Sequence, residues 1–253
     1  MTTQWTTSPD GTRLAFDLSG QGFPLLLLHG AGKTRRDWRK VGYIERLEKR
    51  FTVIAMDLRG SGDSDFRTQM ADYTIEKLLD DVYAVADACG CEQFLAWGYS
   101  FGGNIARYLG AWSQRVKAVV ITGVPFGPAV DRAFDAYIDE FVQKWEPLAR
   151  AEQSTGGKPG KSKIKGHIPV WLACFPAMRA WPPIEPGQMN CPALLLSGTK
   201  NTAVMDWLEA NRPALQGSPV QLELVEGLNH PQEFSQIERV YSPAEAFLAA
   251  HAD

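Results

Sequence analysis

Apolar and polar positions change period along this chain in a repeating order. Residues 12–18, TRLAFDL, alternate in period two after an Asp10-Gly11 turn signal, which predicts a half-buried strand. Residues 24–30, PLLLLHG, form a continuous apolar run, as a strand covered on both faces does. An amphipathic polar stretch over 34–50 predicts a helix leading into a strand over 51–57. A second helix spans 74–90, with Ile75, Leu78, Leu79, Val82, Val85 and Ala86 on one face and Gly90 as its stop. Further strands fall at 94–99, 117–124, 192–198 and 220–226, interleaved with helices at 100–112, 204–215 and 243–251.

Strand and helix in alternation imply an α/β fold: a mostly parallel, doubly wound sheet with helices on both faces. The rhythm stops between about Pro125 and Gly187, where a helical and then Pro- and Trp-rich stretch predicts a small helical cap inserted into the core. The expected organisation is therefore a core of residues 1–124 and 188–253 with a cap or lid over 125–187. Ligands of such sheets bind outside the carboxyl ends of the strands.

Composition narrows the function classes. The 253 residues carry 26 Lys plus Arg against 29 Asp plus Glu, so the formal charge of −3 offers no nucleic-acid footprint. Basic residues cluster once, in KPGKSKIKGH (158–167), which reads as a solvated loop. The opening residues lack a basic segment followed by an apolar run, and LLLL (25–28) is too short to cross a bilayer, so a cytoplasmic, membrane-free protein is expected. Cys89, Cys91, Cys174 and Cys191 form neither a disulfide framework nor, with four histidines, a zinc-like spacing; they read as reduced core residues, and neither a metal nor a cofactor is expected.

Two motifs compete at the strand ends. HGAGKT (29–34), with Asp57 ending a later strand, resembles a phosphate-binding loop, but the first glycine of that pattern would fall on Leu27, inside the strand. The loop is too short to wrap a triphosphate. GYSFG (98–102) is G-x-S-x-G between a strand and a helix, where a strained turn lifts a serine hydroxyl clear of the sheet.

With LLLLHGAG (25–32), DLRGSGDSD (57–65), GYSFGG (98–103), GTKN (198–201) and EGLNH (226–230), the chain resembles the α/β-hydrolase fold superfamily over nearly its whole length. The resemblance implies Ser100 as nucleophile and His230 as base. It also implies an oxyanion hole from the N–H groups of Phe101 and Ala31, with Gly32 the weaker alternative to Ala31. His29 reads as a loop brace, and DLRGSGDSD as structural: Gly60 and Gly62 turn the chain while Asp57, Arg59 and Asp65 pair or cap.

The sequence departs from the family at the acid, where Asn201 stands 29 positions before His230. Three explanations fit. Asn201 occupies the acid position in an attenuated or altered chain; Asp206 supplies the carboxylate instead; or the chemistry needs no full triad. The first is favoured. The Trp-, Phe- and Met-rich insertion suggests a bulky apolar pocket, with Trp145, Trp171, Phe175 and Trp181 as candidate substrate-binding residues. The function expected is cofactor-free serine hydrolysis of a carboxylic ester or lactone-like small molecule through an acyl-enzyme. Carbon–carbon bond hydrolysis and perhydrolysis stay open on the same residues, as does a weakly catalytic ligand-binding receptor. Epoxide hydrolases and haloalkane dehalogenases of this fold use an aspartate nucleophile, against which Ser100 argues.

Overall fold

The computed structural model describes residues 2–154 and 167–252, so most of the basic cluster at 158–167 lies outside the described residues. Within them, eight strands form one sheet: β1 (Gln4–Thr7), β2 (Arg13–Ser19), β3 (Phe23–Leu28), β4 (Phe51–Met56), β5 (Phe94–Tyr99), β6 (Val116–Thr122), β7 (Ala193–Gly198) and β8 (Val220–Val225). The order across the sheet is β1-β2-β4-β3-β5-β6-β7-β8; β2 pairs antiparallel with both β1 and β4, and the remaining neighbours pair parallel. Helices α1 (Arg35–Val41), α2 (Tyr43–Leu47), α3 (Ile75–Ala88) and α4 (Phe101–Trp112) precede β6. Helices α5 (Arg132–Ser154) and α6 (Ile168–Ala177) lie between β6 and β7. After β7 come α7 (Thr202–Asn211), α8 (Gln232–Ser235) and α9 (Ile237–Ala249).

Alternation inside the apolar runs sorts side chains to two cores. Leu26 and Leu28 join α3 and α4 on one face, whereas Leu25 and Leu27 join Trp38, Leu47 and α9 on the other. A continuous apolar strand is the consequence of both faces being covered.

Several boundaries differ from the sequence expectation. The helix expected over 34–50 divides at Gly42, whose φ of 98° is a left-handed conformation that ends one helix. The helix expected over 204–215 ends at Asn211 and continues as a 3-10 turn. The closing helix starts at Ile237 and keeps Pro243 in its interior. Burial of Ile237, Val240, Ala244, Phe247 and Leu248 on that helix offsets the hydrogen bond a proline removes. Strand β1 and the short α8 carry too little periodicity to be foreseen. Among the described residues no helix is long and apolar enough to cross a membrane.

Candidate active site

The carboxyl ends of the parallel strands meet at one place. β5 delivers Ser100, which has φ 55° and is the only non-glycine residue at positive φ among those described. The turn depends on missing side chains around it: a Cβ on Gly98 would stand 2.0 Å from the Gly102 carbonyl oxygen, and one on Gly102 would stand 2.1 Å from that of Leu28. The Ser100 N–H donates to the Thr122 carbonyl at 2.9 Å, tying the elbow to β6.

His230 lies in the loop after β8, its ring stacked on Tyr99 at a centroid distance of 5.1 Å. The Tyr99 hydroxyl donates to the His230 carbonyl at 3.0 Å. Burial, and then the charge of Glu233, push the Tyr99 phenol well above its ordinary range, so this donor keeps its proton. His230 Nε2 is 2.9 Å from Ser100 Oγ. The nucleophile and base candidates are thus in hydrogen-bond contact. Phe101 and Ala31 line the adjoining cavity, and among the described residues their N–H groups donate no backbone hydrogen bond. Two free donors beside a nucleophile form an arrangement suited to a developing oxyanion. Gly32, at φ 71°, is not part of the lining.

The other histidines fall elsewhere. His29 is buried; its Nε2 accepts from the Leu58 N–H at 3.1 Å, which leaves Nδ1–H to donate to the Gly30 carbonyl at 2.9 Å. Burial pulls its basicity below the usual histidine range. It braces the loop after β3 against the end of β4. His167 stacks on Phe66, and His251 contacts the Phe247 carbonyl.

Of the two candidates for the acid position, the structure brings Asn201 to His230 and leaves Asp206 away from it. Asp206 is an exposed residue on α7 and makes no contact with His230, because a helical rotation of five residues carries it away from the strand end. Asn201 is buried and reaches the site, with Nδ2 3.3 Å from His230 Nδ1. The carboxylate beside the histidine is Glu233 on α8: Oε2 lies 3.0 Å from His230 Nδ1, and the side chain is fully buried. It was missed because the family order directs attention upstream of the histidine. Its signal was the H-P-Q-E spacing, since one helical turn brings positions i and i+3 to the same side.

The phosphate-loop residues have other partners. Lys33 lies over the Phe234 ring at 4.5 Å, and Asp57 accepts from Arg35 and from the Asp63 N–H. Arg59 pairs with Asp81 at 2.6 Å and Asp10 at 2.8 Å, and the Asp65 carboxylate accepts from the Arg13 N–H at 2.9 Å. Among the described residues no cluster of His, Cys, Asp or Glu could hold a metal ion.

A cavity of about 370 Å³ opens on Ser100 and His230. Of the four expected pocket residues, Phe175 lines it; Trp145, Trp171 and Trp181 do not. Trp181 packs against Phe101 and Tyr108 while its indole N–H donates to the Tyr73 carbonyl at 2.9 Å. Trp171 stacks behind Phe175, and Trp145 sits half-buried beside Phe141 on α5. Large rings weld the insertion together because they bury the most area, and Phe134, Phe175 and Met178 share the cavity wall with compact residues such as Pro125, Ala129 and Ala203.

Comparison with known proteins agrees with the fold. The α/β hydrolase fold family model matches residues 24–236. A soluble epoxide hydrolase of Corynebacterium sp. (strain C12) is 36% identical over 128 residues, 51% of this chain and 43% of the relative. A 2-hydroxymuconate semialdehyde hydrolase of Pseudomonas sp. (strain CF600) is 38% identical over 117 residues, 45% of this chain and 40% of the relative. These matches span less than half the length of either relative. Among solved structures, an esterase from Thermogutta terrifontis superposes with a TM-score of 0.78 at 22% identity, covering 100% of both chains. The chain belongs to the α/β-hydrolase fold family.

Proposed function

We propose that this protein is a serine hydrolase of small carboxylic esters or related carbonyl compounds such as lactones, working through an acyl-enzyme. The observation that carries the reading is the 2.9 Å contact between His230 Nε2 and a Ser100 hydroxyl held at a strained elbow on the cavity wall. In the forward step Ser100 Oγ attacks the carbonyl carbon as its proton passes to His230. The N–H groups of Phe101 and Ala31 receive the charge on the carbonyl oxygen. His230 then protonates the departing alkoxide, leaving the acyl group on Ser100. Water attacks this ester with His230 as base, and the carboxylic acid leaves as Ser100 regains its proton.

The insertion over 125–187 acts as a cap in this reading, supplying Phe134, Phe175 and Met178 to the cavity wall. Such a wall favours an apolar acyl or alcohol group. The unpaired, buried Cys91, Cys174 and Cys191 support a cytoplasmic setting. A carbon–carbon bond hydrolysis on the same residues is the second reading, supported by similarity to the semialdehyde hydrolase. The relatives that are epoxide hydrolases lend less to the proposal, because Ser100 stands at the elbow where enzymes of that kind carry an aspartate.

A fluorophosphonate probe tests the reading. Stoichiometric labelling that vanishes in Ser100→Ala, with release of alcohol from an activated aryl ester, is expected; an unlabelled chain that turns over no ester would refute it.

A further inference from the structure

Glu233 is fully buried, and no arginine or lysine pairs with it among the described residues. Its Oε1 accepts from the Ser197 hydroxyl and from the Gly198 N–H, each at 2.7 Å. Oε2 faces His230 Nδ1 at 3.0 Å. Among the described residues the imidazole is therefore the one ionisable group in hydrogen-bond contact with this carboxylate that can become a cation. Asn201 closes the remaining side: its Nδ2 stands 3.0 and 3.1 Å from the two carboxylate oxygens and 3.1 Å from the Gly123 carbonyl oxygen.

These neighbours decide the amide's orientation and the histidine's tautomer. The Glu233 oxygens and the Gly123 carbonyl are all acceptors, so the Asn201 NH₂ must point inward; a flipped amide would set oxygen against oxygen. The 3.3 Å approach of Asn201 Nδ2 to His230 Nδ1 is then donor beside donor, and His230 Nδ1–H donates to Glu233. Nε2 keeps its lone pair for the Ser100 hydroxyl. Gly123, at φ 81°, makes room: a Cβ there would lie 2.5 Å from Glu233 Oε2 and 2.8 Å from His230 Nδ1.

We infer that Glu233 serves as the carboxylate that orients His230 and stabilises its charged form, and that Asn201, at the strand end where the family's acid stands, is a neutral donor positioning Glu233. The acid has moved across the histidine, from the loop after β7 to the helix after β8. This inference rests on the hydrolase reading above. An aspartate at 201 would set a second carboxylate about 3 Å from the first in a buried place, where both cannot readily ionise. An amide there satisfies Glu233 without competing for the proton. Glu233 is a positioning residue: neutral donors solvate it in the resting state, and the imidazolium compensates it only as Ser100 gives up its proton, which favours the transition state over the ground state.

The experiment measures kcat/KM against pH on p-nitrophenyl acetate for the full chain and for Glu233→Gln, Asn201→Asp and the double variant. It also follows the His230 Nδ1–H proton by NMR. Expected are a loss on the order of 10³–10⁴ in Glu233→Gln and disappearance of the downfield Nδ1–H signal. Asn201→Asp gains nothing, and the double variant, which returns the carboxylate to 201, recovers at least about tenfold over Glu233→Gln. Glu233→Gln within tenfold of the parent with its Nδ1–H signal intact, or Asn201→Asp rising by powers of ten, would overturn the inference. Should Glu233→Gln fail to fold, Asn201→Asp decides alone, because a chain disabled at its acid must recover there. If the parent neither labels nor turns over ester, the hydrolase reading falls separately; the signal's loss in Glu233→Gln then still supports the pairing, and its retention overturns it.

Discussion

Asp57 at the end of β4 and Glu233 beyond the end of β8 are both completely buried carboxylates, but their surroundings differ in one respect. Asp57 lies against the guanidinium of Arg35, itself buried, and Arg35 also reaches Asp17 and Asp63. Next to it Arg59 pairs with Asp81 and Asp10. Each buried carboxylate there faces an arginine, a cation that keeps its proton. Among the described residues Glu233 meets only neutral donors and a histidine. A fixed cation makes a buried carboxylate structural, whereas a histidine partner leaves its charge available to a reaction.

The largest expected effect separates the two carboxylates by activity. Glu233→Gln should lower kcat/KM by the orders of magnitude given above while thermal unfolding shifts little, since Gln keeps an oxygen for Ser197 and Gly198. Next comes stability. Arg35→Met strands the buried Asp57 and should cost about 3–5 kcal/mol in chemical denaturation, with turnover per folded molecule preserved. If instead Arg35→Met left stability alone and destroyed turnover, the division between the two sites would be wrong.

A smaller effect is expected at Ser197→Ala, which removes one of the Glu233 donors at 2.7 Å. Losing a hydrogen bond to a charged group is worth about 1.5–3 kcal/mol, to be read from urea midpoints together with a kcat decrease that no change in KM accompanies. The smallest concerns Asp10. Burial would raise its pKa, but hydrogen bonds from Thr12 and Arg59 prevail and pull it to about 2. The folded value lies below the ordinary 3.8, so its contribution to stability is complete above that pH and fades as pH falls towards about 2. Asp10→Asn should flatten the stability profile in that acid window and leave it unchanged near neutrality; a slope unaltered by the substitution would remove Asp10 from the acid-sensitive set. Solvent exposure of this residue keeps the effect small.

Seven of the eight strands are legible in the sequence, β1 being the exception, because parallel strands covered on both faces are continuous apolar runs and the helices between them are amphipathic. The sequence by itself also determined the elbow: only a pattern with glycines at 98 and 102 permits the close backbone approaches around Ser100. The functional reading of Ser100 and His230 followed from strand-end position and family order. What tertiary structure alone decided was which side chains meet. Asn201 and Glu233 are 32 positions apart, and their contact depends on how the ends of β7 and α8 pack, which no local pattern encodes. The pocket was illegible for a related reason. Hydrophobicity marks Trp145, Trp171 and Trp181 as buried, but burial against a neighbouring helix and burial against a ligand leave the same trace in a sequence, and only the packed fold distinguishes them.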